Sequence, residues 1–79
     1  MKIPRFEEPR FCTVTFMPYP DGNERKPLKM SLCTGVEIGK LITVIYLARD
    51  GKEHRHKFKS KIVKQVILDR TAAYTNKRL

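Results

Sequence analysis

The sequence has little of several features that mark common protein classes. It contains two cysteines, Cys12 and Cys33, so at most one disulfide can form. No apolar run approaches the ~20 residues of a membrane span, and residues 1–5 lack the apolar core of a secretory signal. We therefore expect no membrane association, and a location in the cytoplasm, or in the nucleus of a eukaryote, where thiols stay reduced.

Motifs for catalysis and metal binding are also missing. The chain has no Gly-rich phosphate loop, no Gly-x-Ser-x-Gly elbow, and no Cys-x-x-Cys or His-x-x-x-His spacing. His54 and His56 could share zinc with Cys12 and Cys33, or could act with lysine in a nuclease, but nothing in the sequence orients them for either role. We predict no catalytic residues, no metal and no cofactor, with histidines at the edge of the core and thiols as small hydrophobes.

Carboxylates are scarce relative to cations. The 79 residues carry 17 Lys plus Arg against 8 Asp plus Glu, which gives a net charge of +9 and a pI near 10.0. Small soluble domains usually stay within a net charge of roughly 2 to 8. An anionic partner would relieve this excess, whereas the alternative is a basic surface that serves only solubility.

The length of the chain allows one domain with a thin core. A chain of 79 residues buries only about 60% of its unfolded surface, so its stability is marginal. Because subunit association adds buried surface, we include a homodimer among the expected partners.

Four segments have the pattern of β-strands. Side chains alternate with the two-residue period of a strand in residues 11–17, 28–32 and 52–59. A fourth segment, residues 41–49, is apolar and rich in β-branched residues. The segment from about 60 to 75 changes period, because Ser60 can cap a helix and apolar residues then follow at helical spacing. These are Ile62, Val63, Val66 and Ile67.

This order of elements predicts an α+β fold, an antiparallel four-stranded β-meander with a C-terminal α-helix packed on one face. We divide the chain into an extended N-terminal arm (1–10), a single β-sheet-plus-helix domain (11–75) and a flexible basic tail (76–79). The uncovered face of the sheet would be open to water or to a partner.

The second hairpin carries the candidate binding surface. Asp50-Gly51 predicts a two-residue turn, which pairs Tyr46 with Arg55 and sorts the cations onto the open face around one tyrosine. Three lysines at the predicted helix start add an anion site. The predicted nucleic-acid-binding residues are Tyr46, Arg49, Lys52, Arg55, Lys57, Lys59, Lys61 and Lys64.

Two functions from different classes fit these residues. The favoured hypothesis is a small non-catalytic protein that binds single-stranded DNA or RNA, with phosphates on the cations and a base stacked on Tyr46. No helix-turn-helix, zinc finger or basic zipper is present for reading duplex DNA. The alternative is an adaptor or inhibitor that docks on an acidic protein through a β-edge, or through the outer side of the helix at Leu68.

Overall fold

Strands make up nearly all of the fold, which a computed structural model describes for residues 2–78. Within residues 2–78, seven strands and one 3₁₀ turn follow one another. They are β1 (Lys2–Ile3), β2 (Arg10–Phe16), β3 (Leu28–Ile38), β4 (Leu41–Leu47), β5 (Glu53–Lys59), η1 (Ser60–Ile62), β6 (Val63–Leu68) and β7 (Thr71–Thr75).

The predicted α+β meander is wrong. Six antiparallel strands form one sheet in the order β5-β4-β3-β2-β6-β7, and the short β1 pairs with β3. Residues 2–78 contain no α-helix, so the predicted helix over 60–75 is replaced by η1, β6 and β7. None of these residues belongs to a helix long and apolar enough to cross a bilayer.

A β-bulge explains why the last segment resembles a helix in sequence. In the pairing of β2 with β6, Thr15 lies opposite Gln65 and Phe16 opposite Val63, so Lys64 is the extra residue of a bulge. Val63 and Val66 are therefore three apart and both fully buried. The bulge turns the two-residue period of a strand into a three-residue step, which is also a helical spacing.

The sheet curls over so that its own strands cover the apolar face. β2 and β5 are three strands apart in the sheet, which is about 14 Å if the sheet were flat. The rings of Phe16 in β2 and Phe58 in β5 nevertheless lie 5.2 Å apart between centroids. The fold is thus a curved sheet around one thin core, which contains Cys12, Val14, Cys33, Val36, Ile42, Val44, Val63, Val66 and Leu68.

The N-terminal segment runs along β3, and its Arg5 side chain crosses the face of the sheet opposite the core. Phe6 N–H donates to Thr34 O at 3.0 Å, and Arg5 forms an ion pair with Glu53 of β5. A Cβ on Gly35 would lie 2.8 Å from Arg5 Cδ, so β3 needs glycine there to let the Arg5 side chain pass close to its backbone.

The two chain ends are tied to the sheet at described residues. β1 pairs with β3, and the Asn76 side chain, only 5% exposed, donates to Val63 O at 2.8 Å. Met1 of the predicted arm and Leu79 of the predicted tail lie outside the described residues. The division into arm, domain and tail stays a prediction, as does the homodimer.

The turn between β6 and β7 closes against β2 through Asp69. Its backbone is left-handed, with φ 57°, a conformation that Asp and Asn adopt more readily than most residues. The carboxylate accepts from Arg10 Nε at 2.8 Å and from Phe11 N–H at 3.3 Å. Both hydrogen bonds lower the pKa of Asp69, and the one from Arg10 has the larger effect.

We expect Ile42→Val to lower the free energy of unfolding by about 1 kcal/mol, because Ile42 is fully buried and loses one methylene's worth of packing. Leu41→Val is the matched control on the opposite side of β4. Leu41 is 46% exposed, so its substitution should change stability by less than about 0.5 kcal/mol. Urea denaturation measures both, and equal effects would contradict the assignment of the two faces.

Acid should destabilise the fold through carboxylates held by arginine. Arg10 lowers the pKa of Asp69, and Arg5 lowers that of Glu53. A lowered folded-state pKa contributes stability above the ordinary carboxyl pKa of about 4, and this is lost as pH falls through the folded value. We expect Tm to decline below about pH 4, with a smaller decline in Asp69→Asn, measured by circular dichroism. Identical Tm profiles in the two proteins would contradict this contribution.

Candidate nucleic-acid interface

The turn between β4 and β5 has three residues rather than the predicted two. Gly51 N–H donates to Ala48 O at 3.0 Å, and Ala48 N–H donates to Lys52 O at 3.0 Å. Gly51 adopts φ 77°, as expected for a type I turn followed by a left-handed glycine. Asp50 holds the turn by accepting from Lys52 N–H at 2.8 Å.

This extra residue shifts the pairing of the two strands by one. Tyr46 lies opposite His54, not opposite the predicted Arg55, and Ile45 lies opposite Arg55. A slip of one residue moves every side chain of one strand to the other face relative to its partner. The cations of β5 and the ring of Tyr46 therefore lie on opposite faces of the sheet.

A row of rings occupies the face that Tyr46 shares with the core. We call this row the ring strip; it consists of Phe16, Tyr46, His54, His56 and Phe58. The Phe16 and Phe58 rings meet edge to face at 5.2 Å, the His56 and Phe58 rings stack at 4.4 Å, and the Tyr46 and His54 rings stack at 5.9 Å. His54 and His56 are exposed and the other three are half-buried.

The ring strip continues the apolar face of the core beyond the point where strands cover it. Val44 lies opposite His56 and Ile42 opposite Phe58, and both β4 residues are fully buried. β5 is the end of the sheet, so its rings have core beneath them on one side and solvent on the other.

A basic cavity lies at each end of the ring strip. At the Phe58 end, the loop cavity is lined by Phe16, Tyr19, Glu24, Arg25, Lys26, Phe58 and Ile62. At the Tyr46 end, the hairpin cavity is lined by Lys29, Met30, Ser31, Leu32, Tyr46, Leu47, Ala48 and Arg49. Each cavity thus combines apolar walls with two cations, and one carboxylate, Glu24, lies in the first.

The Arg25 side chain is the best-positioned cation of the loop cavity. Its guanidinium carbon lies 4.2 Å from the centroid of the Tyr19 ring, a cation–π contact that holds the charged plane in place. The Nε atom is buried and has no hydrogen-bond partner among residues 2–78. The side chain therefore carries a fixed positive charge and an unsatisfied donor at the cavity wall.

Few of the cations are neutralised by carboxylates. The ion pairs among the described residues join Arg5 to Glu53, Arg10 to Asp69, Arg55 to Glu37 and His54 to Asp50. The ordered Lys52 N–H, and then the His54 ring, lower the pKa of Asp50. No ion pair with residues 2–78 engages the four cations of the two cavities, so their charge is available to an anion.

The predicted site residues lie in several places. Tyr46 and Arg49 line the hairpin cavity, Lys52 lies in the turn, and Arg55, Lys57 and Lys59 project from β5 on the face opposite the ring strip. Lys61 lies in η1 and Lys64 in the bulge of β6. Because Ser60 begins only the three-residue 3₁₀ turn η1 and not the predicted α-helix, the predicted anion site at a helix N-terminus is wrong.

Sequence reasoning missed most members of the ring strip as a surface. Alternation placed His54, His56 and Phe58 together, but the two-residue turn put them on the wrong face of β4. The sequence did contain a signal for the correct turn. An Asp-Gly pair is also compatible with a three-residue loop, in which the glycine takes the left-handed conformation. Nothing in the local pattern brings Phe16 beside Phe58, since 42 positions separate them and only the curl of the sheet joins them.

The cysteines and histidines do not form the reactive pairs that we considered. Cys33 lies opposite Tyr46, which in turn lies opposite His54, so thiol and imidazole are two strands apart, about 10 Å. The described residues hold no group of three or more His, Cys, Asp or Glu placed to bind a metal ion. Cys12 and Cys33 are free thiols with no exposed surface.

No protein-family model, curated protein or solved structure shows a significant match to this chain.

Both thiols should resist modification while the protein is folded. The hydrogen bond with Cys33, together with burial, raises the pKa of Cys12, and neither sulfur is exposed. The hydrogen bond with Cys12 lowers the pKa of Cys33 to about 7, which favours the reactive thiolate, so Cys33 is protected by its burial alone. We expect Ellman's reagent to label both cysteines only after unfolding in guanidinium. Rapid labelling of either one under native conditions would contradict their place in the core.

Proposed function

We propose that this protein binds single-stranded DNA or RNA without catalysing a reaction. In this proposal, bases stack along the ring strip and phosphates are neutralised by the cavity cations at its two ends. The observation that carries the proposal is a row of five rings, three of them on the edge strand β5, with a basic cavity at each end.

The ring strip has the size and chemistry of a stacking platform. β5 rises about 14 Å between His54 and Phe58, and a strip of this kind offers flat surfaces for about two or three bases. Aromatic and imidazole rings accept any base because every base has a π face, which suits binding with little sequence preference. Tyr46 keeps its predicted role of stacking on a base. The side chains beside it in this proposal are His54, His56 and Phe58 instead of the predicted cations.

The charge distribution supports a polyanion as the ligand. Arg25 and Lys26 lie at one end of the strip and Lys29 and Arg49 at the other, so a strand that crosses the rings meets cations as it enters and leaves. Lys52 in the adjacent turn and Lys64, which lines a further cavity with Arg25, extend this basic track. Release of counterions from the phosphates would then supply much of the affinity.

A binding role is also favoured by the placement of the reactive side chains. The thiols are in the core and Tyr46 separates Cys33 from His54, so this thiol and this imidazole are not paired as covalent catalysis requires. We further propose that the protein works in the cytoplasm, or in the nucleus of a eukaryote, since free thiols suit a reducing compartment.

The test is fluorescence anisotropy with labelled oligothymidylate and oligouridylate between about 50 and 300 mM salt. We expect log K to fall linearly with log salt, with a slope of about −0.7 for each phosphate contacted. Tyr46→Leu and His56→Leu keep an apolar strip but remove a stacking ring. Each should weaken binding roughly 5- to 150-fold, the equivalent of about 1–3 kcal/mol.

Matched variants separate stacking from charge. Phe11→Leu removes an aromatic ring that is 43% exposed but lies outside the strip, and it should leave affinity unchanged. Arg49→Gln should reduce the steepness of the salt dependence by about 0.7, whereas Arg70→Gln, in the β6–β7 turn, should not. Absence of binding near 50 mM salt, an affinity indifferent to salt, or equal effects of Tyr46→Leu and Phe11→Leu would each overturn the proposal.

A further inference from the structure

The outer edge of β5 is an open strand edge. β5 (Glu53–Lys59) pairs with β4 on one side and ends the sheet on the other. In the part of the chain that the structure describes, no backbone hydrogen bond reaches this outer edge. Six of its seven residues are exposed. A free edge of this length is a template for another extended strand.

The two faces of this edge differ in chemistry. His54, His56 and Phe58 form part of the ring strip on one face, whereas Arg55, Lys57 and Lys59 project from the other. Arg55 Nη1 lies 3.5 Å from Glu37 Oε2, and neither lysine takes part in an ion pair with residues 2–78. One side of the edge is therefore aromatic and the other carries uncompensated positive charge.

A strand added to this edge would meet both faces in alternation. Successive side chains of a strand point to opposite sides of the sheet, and directly opposite pairs contact each other. We propose that β5 binds, by strand addition, an extended segment of a partner protein in which Asp or Glu alternates with apolar or aromatic residues. The acidic side chains of the partner pair with Lys57 and the other cations on its face, Arg55 and Lys59. The apolar side chains of the partner pack on His56 and Phe58.

A second copy of the chain is a poor occupant of the same edge. Antiparallel pairing of two β5 strands about His56 places Arg55 opposite Lys57 at both central positions, and like charges directly opposite each other are destabilising. Each chain also carries a net charge of +9. The edge that repels its own copy attracts an acidic strand, which is the charge complementarity that selects the partner.

This inference goes beyond the proposed binding of nucleic acid and does not depend on it. Strand addition uses the backbone edge of β5 and the face that carries Lys57, neither of which contributes to base stacking or to the two cavities. The two ligands would share only the rings of His56 and Phe58, so each can be tested by substitutions that the other ignores.

The test uses two fluorescein-labelled peptides of one composition. The first alternates glutamate with valine and has one central phenylalanine; the second groups the glutamates in one half, so that charge is equal but alternation is lost. We expect the alternating peptide to bind the protein at least about tenfold more tightly in fluorescence anisotropy, because only it can place every glutamate on the cationic face. Equal affinities would overturn the proposal.

Protein variants locate the binding edge. Lys57→Glu should weaken the alternating peptide about tenfold or more, while Arg70→Glu makes the same change of charge in the β6–β7 turn and should have only a small effect. Equal losses in the two variants would mean that net charge alone drives binding, which contradicts strand addition. Both variants alter exposed side chains, and circular dichroism verifies their folding.

Hydrogen exchange followed by NMR reads out the backbone directly. Strand addition should protect alternate amides of β5, those that point away from β4, when the alternating peptide is saturating. Unchanged exchange at these amides would overturn the proposal of strand addition. A protein that binds oligothymidylate but neither peptide would overturn it as well. Because Tyr46→Leu and Lys57→Glu probe opposite faces, failure of one proposal is distinguishable from failure of the other.

Discussion

The structure depends on a sheet that must bury its own apolar face, because the described chain has no α-helix to cover it. Curling brings Phe16 against Phe58 and encloses Val14, Val44 and Val66 in one core. Bulges permit the bend, since each adds a residue to one strand and increases the local twist. One lies at Lys64 in β6, and another interrupts the pairing of β3 with β4 between Cys33 and Gly35. The core is consequently thin, and it does not extend to the outer edge of β5, the strand at the end of the sheet.

The candidate interface is a consequence of that ending. β5 continues the core face beyond the strands that cover it, so His56 stacks on Phe58 and His54 stacks on Tyr46 while one side of these rings stays exposed. The three-residue turn decides which chemistry this exposed side has, because it sets the phase between β4 and β5. With the other phase, the rings would have faced Ile45 and the cations would have surrounded Tyr46. The same phase gives β5 an aromatic face and a cationic face along a single open edge.

Alternation located three of the first four major strands and an apolar, β-branched run located the fourth, β4, and the antiparallel sheet is confirmed. The prediction failed where one residue changes the phase of a strand. Lys64 bulges out of β6, which places the buried Val63 and Val66 three apart and imitates a helix. Residue type favoured a strand despite this helical spacing, because the apolar residues of the segment are β-branched: Ile62, Val63, Val66 and Ile67. At the hairpin, Asp50-Gly51 is compatible with a two- or a three-residue loop, and the choice between them reversed the predicted faces.

The sequence by itself determined the strong basic excess, the scarcity of reactive motifs, and the positions of the strands with unbroken alternation, because these are properties of composition and of short local patterns. Only the tertiary structure decided which strands pair, where the sheet bends and which side chains share a surface. Phe58 is far in the chain from Phe16 and Arg25, and it meets them only because the sheet closes over its core. The physical reason is that bulges and turn lengths change strand phase by single residues, and the packing of the whole sheet selects among phases that local sequence leaves nearly equal.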